Sequence, residues 1–252
     1  MAANSVERFS NRVANYVKYR PTYPPEVLRF LQTELNLRAA SVVADIGSGT
    51  GISSKIFLEN GCRVYGVEPN GAMRAAAEEF LRDFPNFRSV DGASENTTLA
   101  DRSIDFVTAA QAFHWFEPVR TRAEFERILK PGGDVVLIWN ERQIDTNEFL
   151  REYEKFLLDF GTDYAKVRHD YLPQEKLGAF FTKGFQTASF QNSQTFDFEG
   201  LKGRALSSSY MPSERDARYP EMTKSLLSIF NKHADNDRIS ISYDTNIYYG
   251  KL

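Results

Sequence analysis

Cysteine occurs once in the 252 residues, at Cys62. A single thiol closes no internal disulfide and builds no thiolate metal site, which excludes disulfide scaffolds and zinc ribbons. The three histidines, His114, His169 and His233, are scattered without ligand spacing, so no metal is expected. Basic excess is missing too. The 31 Lys and Arg stand against 34 Asp and Glu, and a formal charge of -3 offers no broad attraction for nucleic acid or an anionic membrane. No stretch of about 18 apolar residues occurs, and the first residues hold no apolar segment of signal-peptide kind. Neither a membrane span nor a secretory leader is expected, and a cytoplasmic setting suits the composition. Internal repeats and low-complexity tracts are also missing.

What is present is a chain with 42% apolar and 26% charged residues, enough for one well-filled core, with 20 Phe and 12 Tyr to build an aromatic interior or pocket. The expectation is a single domain. Residues 1–40 form a helical cover, 41–140 a ligand-binding core, 141–184 a helical lid, and 185–252 closing strands and helices.

The pattern alternates strand and helix. Residues 41–46 (SVVADI) read as a strand buried on both faces, followed by a helix over 52–59 that stops at Asn60-Gly61. A strand over 63–68 leads to an Ala-rich helix over 70–84 with Asn70 as cap. Strands follow at 87–91 and 104–109, then a helix at 122–129, a tight turn at 130–133 and a strand at 134–139. This order means a mainly parallel sheet with helices on both faces, a Rossmann-like doubly wound α/β fold. Residues 145–183 are helical in pattern and too long for a simple crossover, hence the lid. Strands at 185–196 and 238–249, with helices within 199–210 and 215–234, close one edge as an antiparallel pair and complete seven strands.

The first strand runs into Asp45-Ile46-Gly47-Ser48-Gly49-Thr50-Gly51. In doubly wound sheets ligands bind at the carboxyl ends of the strands, where this turn lies, and its glycines permit close backbone approach. A P-loop needs Lys then Ser or Thr after the last glycine, and Ile52-Ser53 stand there instead. The dinucleotide fingerprint needs glycine at position 52 and finds Ile52. Asp45 also argues against phosphate, since like charges at such range repel by about 1 kcal/mol or more. A cationic ligand is favoured, and S-adenosylmethionine carries an ammonium and a sulfonium with no phosphate. Glu68, ending the second strand, suits the two hydroxyls of a ribose and disfavours a 2′-phosphate.

With Asp91-Gly92-Ala93-Ser94 after the third strand, the ordered set is specific. Residues 42–139 resemble the class I S-adenosylmethionine-dependent methyltransferases, especially the small-molecule group related to trans-aconitate methyltransferases and the ubiquinone and biotin pathway enzymes. The likeness is carried by "VADIGSGTG", "VYGVEPNGAM", "GASENTTLADRSIDFVTAAQAFHWF" and "LKPGGDVVLIWN", and the N-terminal "YVKYRPTYPPEVLRFL" resembles the segment that precedes the fold in that group. The resemblance implies that Gly47, Ser48, Gly49 and Gly51 pack under the methionine part, with Asp45 facing its ammonium, directly or through water. Glu68 would hold the ribose, with Pro69 and Asn70 beside the adenosine. Ala93 and Ser94 would flank adenine, and Gln111 would lie beside the methionine portion. One departure is Ser94-Glu95-Asn96-Thr97-Thr98, where many relatives are more apolar and contain proline.

The implied reaction is methyl transfer to a small-molecule acceptor, with a carboxylic acid as one such class. Orientation alone supplies roughly 7–11 kcal/mol of such a barrier, so no triad is required. His114, after the fourth strand, is the candidate base, but it reads first as pocket wall with Trp115. Arg20 could pair with a carboxylate of ligand or substrate, joined by a hydroxyl from Tyr16, Tyr19 or Tyr23. Phe149, Tyr153, Phe156 and Phe160 recur at helical spacing and read as core. His169 and His233 read as solvated surface. Alternatives from other classes are a NAD-dependent oxidoreductase and a non-catalytic protein that retains the ligand pocket.

Overall fold

The computed structural model describes residues 18–162, 164, 172–208 and 210–252. Tyr16 and His169, both singled out from the sequence, lie outside the described residues. The order of elements is helix α1 (Pro25–Glu34), strand β1 (Val42–Ile46), α2 (Ile52–Glu59), β2 (Arg63–Val67), α3 (Gly71–Phe80), β3 (Phe87–Val90) and β4 (Ile104–Ala110). A 3₁₀ turn, Phe113–Trp115, leads to α4 (Pro118–Ile128) and β5 (Leu129–Arg142), followed by α5 (Glu148–Phe160) and α6 (Gln174–Phe180). Then come β6 (Gln186–Phe196), α7 (Phe198–Leu206), α8 (Tyr219–His233) and β7 (Ile239–Gly250).

The seven strands form one sheet in the order β3-β2-β1-β4-β5-β7-β6. Neighbours from β3 to β5 are parallel, and β7 runs antiparallel between β5 and β6. The doubly wound seven-stranded sheet read from the sequence is present. Strand order reverses between β1 and β4, which opens a crevice at their carboxyl ends.

Why these strands read as continuous apolar runs is visible in β5. Val135, Leu137 and Trp139 face one core with Phe125 and Ile128 of α4 and Leu177 and Phe180 of α6. Val136 and Ile138 face the other, with Val27 and Leu31 of α1 and Phe57 of α2. Side chains alternate, and helices cover both sides, so both alternating sets are apolar.

Local chemistry sets the helix starts. Asn70 caps α3, its Oδ1 accepting from the N–H groups of Ala72 and Met73, as its position suggests. Helix α4 begins four residues earlier than the periodicity indicates. Pro118 occupies its first turn and the Glu117 carboxylate accepts from Val119 and Arg120 N–H, a cap that pattern alone does not reveal. The turn expected at 130–133 is a bulge within one long strand, since pairing jumps from Ile104↔Leu129 to Phe106↔Asp134, with Gly132 at φ 82°.

The segment expected as a lid is packed on neighbouring elements over its described part. Phe149, Tyr153, Phe156 and Leu157 of α5 pack with Leu201 of α7, Met222 and Leu226 of α8, and Ile241 of β7 in a third apolar cluster. Helix α6 packs on α4 through Phe180 and Phe125, ring centroids 5.7 Å apart. Both helices are built-in layers. His233 is corrected too: its side chain is largely buried, with Nε2 3.1 Å from Glu152 Oε2 of α5, instead of standing in solvent. Among the described residues no helix is long and apolar enough to cross a membrane, and no group of His, Cys, Asp and Glu is arranged for a metal.

Candidate functional site

A cleft opens at the β1/β4 reversal, lined by the Gly47–Thr50 turn, Glu68-Pro69-Asn70 after β2, Met73 of α3 and Ala110-Gln111-Ala112 after β4. Arg20, Pro21 and Tyr23 from the N-terminal segment and Trp115 and Phe116 complete its walls. Trp115 is 47% exposed, which puts it at the mouth.

The glycine turn owes its shape to backbone geometry. Gly47, Gly49 and Gly51 all have positive φ, at 68°, 56° and 83°. Gly47 follows β1 directly and donates its N–H to Val67 O at 2.8 Å, tying the turn to the end of β2. A Cβ on Gly47 would sit 2.6 Å from Ala112 Cβ, so the turn lies flat against the chain leaving β4. At Gly49 a Cβ would meet nothing within 4 Å. Gly51 starts α2 and packs on Leu81, behind the cleft wall.

Glu68 stands on the wall with both oxygens aligned by backbone donors. Gly49 N–H donates to Oε2 at 3.1 Å and Asn70 N–H to Oε1 at 2.9 Å. Each oxygen keeps lone pairs for a ligand. Burial raises its pKa above the ordinary value, opposed by those two N–H groups and by Arg74. Arg74 also donates to the Glu68 carbonyl at 2.7 Å and to Asp91 at 2.8 Å, securing the chain beyond β2.

Asp45 stands near the end of β1. Its carboxylate is fully buried beneath the turn, outside the cleft lining, and accepts from Ser53 Oγ at 2.6 Å, Ser54 Oγ at 2.7 Å and Thr108 Oγ1 at 3.3 Å. Desolvation raises its pKa and the three hydroxyls oppose the rise. Asp45 holds the first turn of α2, whose Ser53 lines the cleft, against β1 and β4.

The loop after β3 and the turn after β4 are held from neighbouring elements. Ala93 forms a short bridge with Asn96, and Ser94 Oγ accepts from Thr121 Oγ1 of α4 at 3.2 Å; neither lines the cleft. Glu124 explains the pull, since its carboxylate accepts from both Thr97 N–H and Thr97 Oγ1 and draws this loop toward α4. His114 lies between indoles, its ring centroid 4.5 Å from Trp115 and 5.2 Å from Trp139, off the cleft wall. The ring backs Trp115, which does line the cleft. Lys176 of α6 anchors the same turn by donating to His114 O at 2.9 Å.

Tyr19 packs its ring on Gly203 of α7, outside the cleft, and its carbonyl accepts from Gln194. Arg20 does reach the cleft, with Nη2 donating to Ser207 O at 3.2 Å. Gln111 lines it in a left-handed conformation, φ 55°, and its amide clasps the Asn140 backbone from both sides. Sequence reasoning missed Thr50, Met73 and Phe116. Thr50 lies within the glycine turn and Met73 one turn past the Asn70 cap, so position was the available signal. Thr50 Oγ1 is buried in the wall and has no hydrogen-bond partner among the described residues. An orphaned hydroxyl there, two flat glycines and an aligned carboxylate fit a ligand with a polar tail and a vicinal diol.

Comparison with known proteins agrees with this geometry. Residues 44–137 match the family model described as a methyltransferase domain. An uncharacterized methyltransferase of Geobacillus kaustophilus is 30% identical over 181 residues, covering 66% of this chain and 79% of that protein. One of Mycobacterium tuberculosis is 37% identical over 134 residues, 53% of this chain and 52% of the relative. The chain thus spans about half the length of the mycobacterial relatives it matches. Among solved structures, one described as a type II methyltransferase from Anaeromyxobacter dehalogenans superposes with a TM-score of 0.67 at 22% identity, covering 92% of this chain and 98% of the other. This likeness concerns the fold. Shared sequence across core and flanks, the sheet order and the cleft at its reversal together show that the chain belongs to the class I S-adenosylmethionine-dependent methyltransferase family.

Proposed function

We propose that the protein transfers a methyl group from S-adenosylmethionine to a small-molecule acceptor. The observation that carries this reading is Glu68, a carboxylate on the cleft wall whose oxygens are set by Gly49 and Asn70 N–H beside a glycine turn flat enough for a ligand to lie on. When bound, S-adenosylmethionine supplies an electrophilic methyl on a sulfonium. An acceptor lone pair forms the new bond while the carbon–sulfur pair returns to sulfur.

The chain's own part is binding and alignment. Glu68 accepts from the ribose hydroxyls. Gly47 and Gly49 bring backbone close to the amino-acid tail, and Thr50 Oγ1 bonds to it. Met73, Pro69 and Phe116 cover the apolar surface and exclude water, where orientation supplies most of the rate gain. A carboxylic acid is the acceptor class the family resemblance favours, and such a group, ionised near neutral pH, needs no base. The NAD-dependent oxidoreductase alternative is set aside by family membership. We place the enzyme in the cytoplasm on its single cysteine.

Calorimetry with S-adenosylhomocysteine and a labelled-methyl screen over small acids, phenols and amines test the reading. Binding with no transfer to any acceptor would leave a non-catalytic binder, and no binding would reject the assignment. Glu68→Ala should weaken binding by about 1.5–3 kcal/mol, more than tenfold in Kd, because hydrogen bonds to a charged group are removed. Unchanged affinity would overturn the ribose role.

A further inference from the structure

Arg204, on α7, is the most deeply buried cation with no carboxylate beside it among the described residues. It is 8% exposed. Its Nε donates to Tyr243 Oη at 3.3 Å, and Nη1 to Ser207 Oγ at 3.5 Å and Ser208 Oγ at 3.4 Å. These are long contacts to neutral oxygens, and Nη2 donates to nothing among the described residues. Tyr243 Oη donates its hydrogen bond to Gln194 Oε1 at 3.0 Å, leaving its lone pairs toward the guanidinium. Tyr153 and Tyr210 flank the group as well. Burial pushes the Tyr153 phenol up to about 12, so it supplies no counter-charge at neutral pH.

The nearby buried carboxylate is already committed. Glu154 of α5 pairs with Arg142 Nη2 and accepts from Tyr164 Oη at 2.8 Å. Arg142 thus has its partner, and Arg204 is left as surplus positive charge. A buried charge without a partner is costly, and proteins seldom keep one that does no work. The place is informative. Ser207, whose hydroxyl faces Arg204, offers its carbonyl to Arg20, which lines the cleft. One residue separates the two guanidinium groups.

We propose that Arg204 anchors a carboxylate carried by the methyl acceptor, with the Tyr243 and Tyr153 phenols and the Ser207 and Ser208 hydroxyls around it. The inference rests on the methyl-transfer reading and adds the residue that selects an anionic acceptor. A planar guanidinium with its second nitrogen open matches a carboxylate in bidentate fashion, and neutral hydroxyl neighbours leave the charge for the ligand. Arg204 stands behind the cleft lining, and Ser207 links it to Arg20 on the cleft wall.

The test uses the whole chain saturated with S-adenosylhomocysteine, and titrates acetate, succinate and citrate. The expected result is that at least one of them binds and shifts the Arg204 Nε–Hε resonance of the wild-type protein. Arg204→Met should lose that affinity at least tenfold while S-adenosylhomocysteine Kd stays within twofold, and Arg204→Lys should recover part of it. Arg204→Met should also melt no lower than wild type without carboxylate, since it removes an uncompensated charge. Absence of any resonance shift, or equal carboxylate affinity in Arg204→Met, overturns the proposal. So does a large loss of stability in that variant, which would make Arg204 a structural strut. Failure of S-adenosylhomocysteine itself to bind rejects the methyl-transfer reading instead, so the two failures are told apart.

Discussion

Gly47→Ala should lower the free energy of unfolding by about 2–5 kcal/mol and abolish S-adenosylhomocysteine binding at concentrations that saturate the wild-type protein. Two physical effects combine. A side chain held at φ 68° pays left-handed strain of about 1–2 kcal/mol, and its Cβ, 2.6 Å from Ala112 Cβ, adds overpacking of about 1–3 kcal/mol. Ala112 has no rotamer to move, so relief requires shifting the chain after β4 and with it the cleft wall formed by Ala110 and Gln111. Gly49→Ala is the matched control. It shares the strain but meets nothing within 4 Å, so it should cost only about 1–2 kcal/mol. Chemical denaturation of both variants decides the matter, and equal destabilisation would refute the packing argument.

The second large effect is expected at Asp45. Asp45→Ala strands the Ser54 and Thr108 hydroxyls in the core, at about 1–3 kcal/mol for each one left unpaired, and loosens the turn that carries Ser53 to the cleft. Ligand affinity should fall with stability. Asp45→Asn keeps an oxygen for the two serines and places its amide against Thr108 Oγ1, so it should rescue most of both losses. The pH dependence separates charge from shape. Because burial raises the folded pKa above 3.8, the folded state holds its proton more tightly than the unfolded chain. Stability from this group is therefore full below that value and is lost as pH rises through the raised folded pKa. Asp45→Asn removes this loss, so its stability relative to wild type should climb as pH rises from about 3.8. A relative fall over the same window would mean that the carboxylate is stabilised by its partners, with desolvation the smaller effect.

The strands were legible because both faces of the sheet are covered. Val135 to Trp139 is apolar at every position, and no alternative burial satisfies it. Helix α3 was legible from Asn70, whose cap bonds span only two and three residues. The start of α4 was not, because Glu117 caps it without the usual short polar side chain. Nor was the β5 bulge, whose register depends on Ile104 and Phe106 of another strand.

At the site the same division holds. The glycine turn and Glu68 were readable because each is a local requirement, a backbone bend in one case and a strand-end acid in the other. Asp45 was read as a ligand contact because an acid beside a glycine turn implies a nearby cation. Three hydroxyls use it instead, and two of them lie on a helix whose rotation about β1 the sequence does not state. The position of Ala93 and Ser94 depends likewise on a distant residue, as Thr97 of their loop donates to Glu124 of α4.

By itself, then, the sequence determined the doubly wound sheet, the position of the cleft and the chemistry of its Glu68 wall, because these follow from short-range pattern and residue type. Tertiary structure alone decided what each buried charge is for. Asp45 is enclosed by donors and holds the turn, Arg142 is paired by Glu154, and Arg204 is left with neutral neighbours. The energy of a buried charge depends on partners far away in the chain, and only packing brings them together.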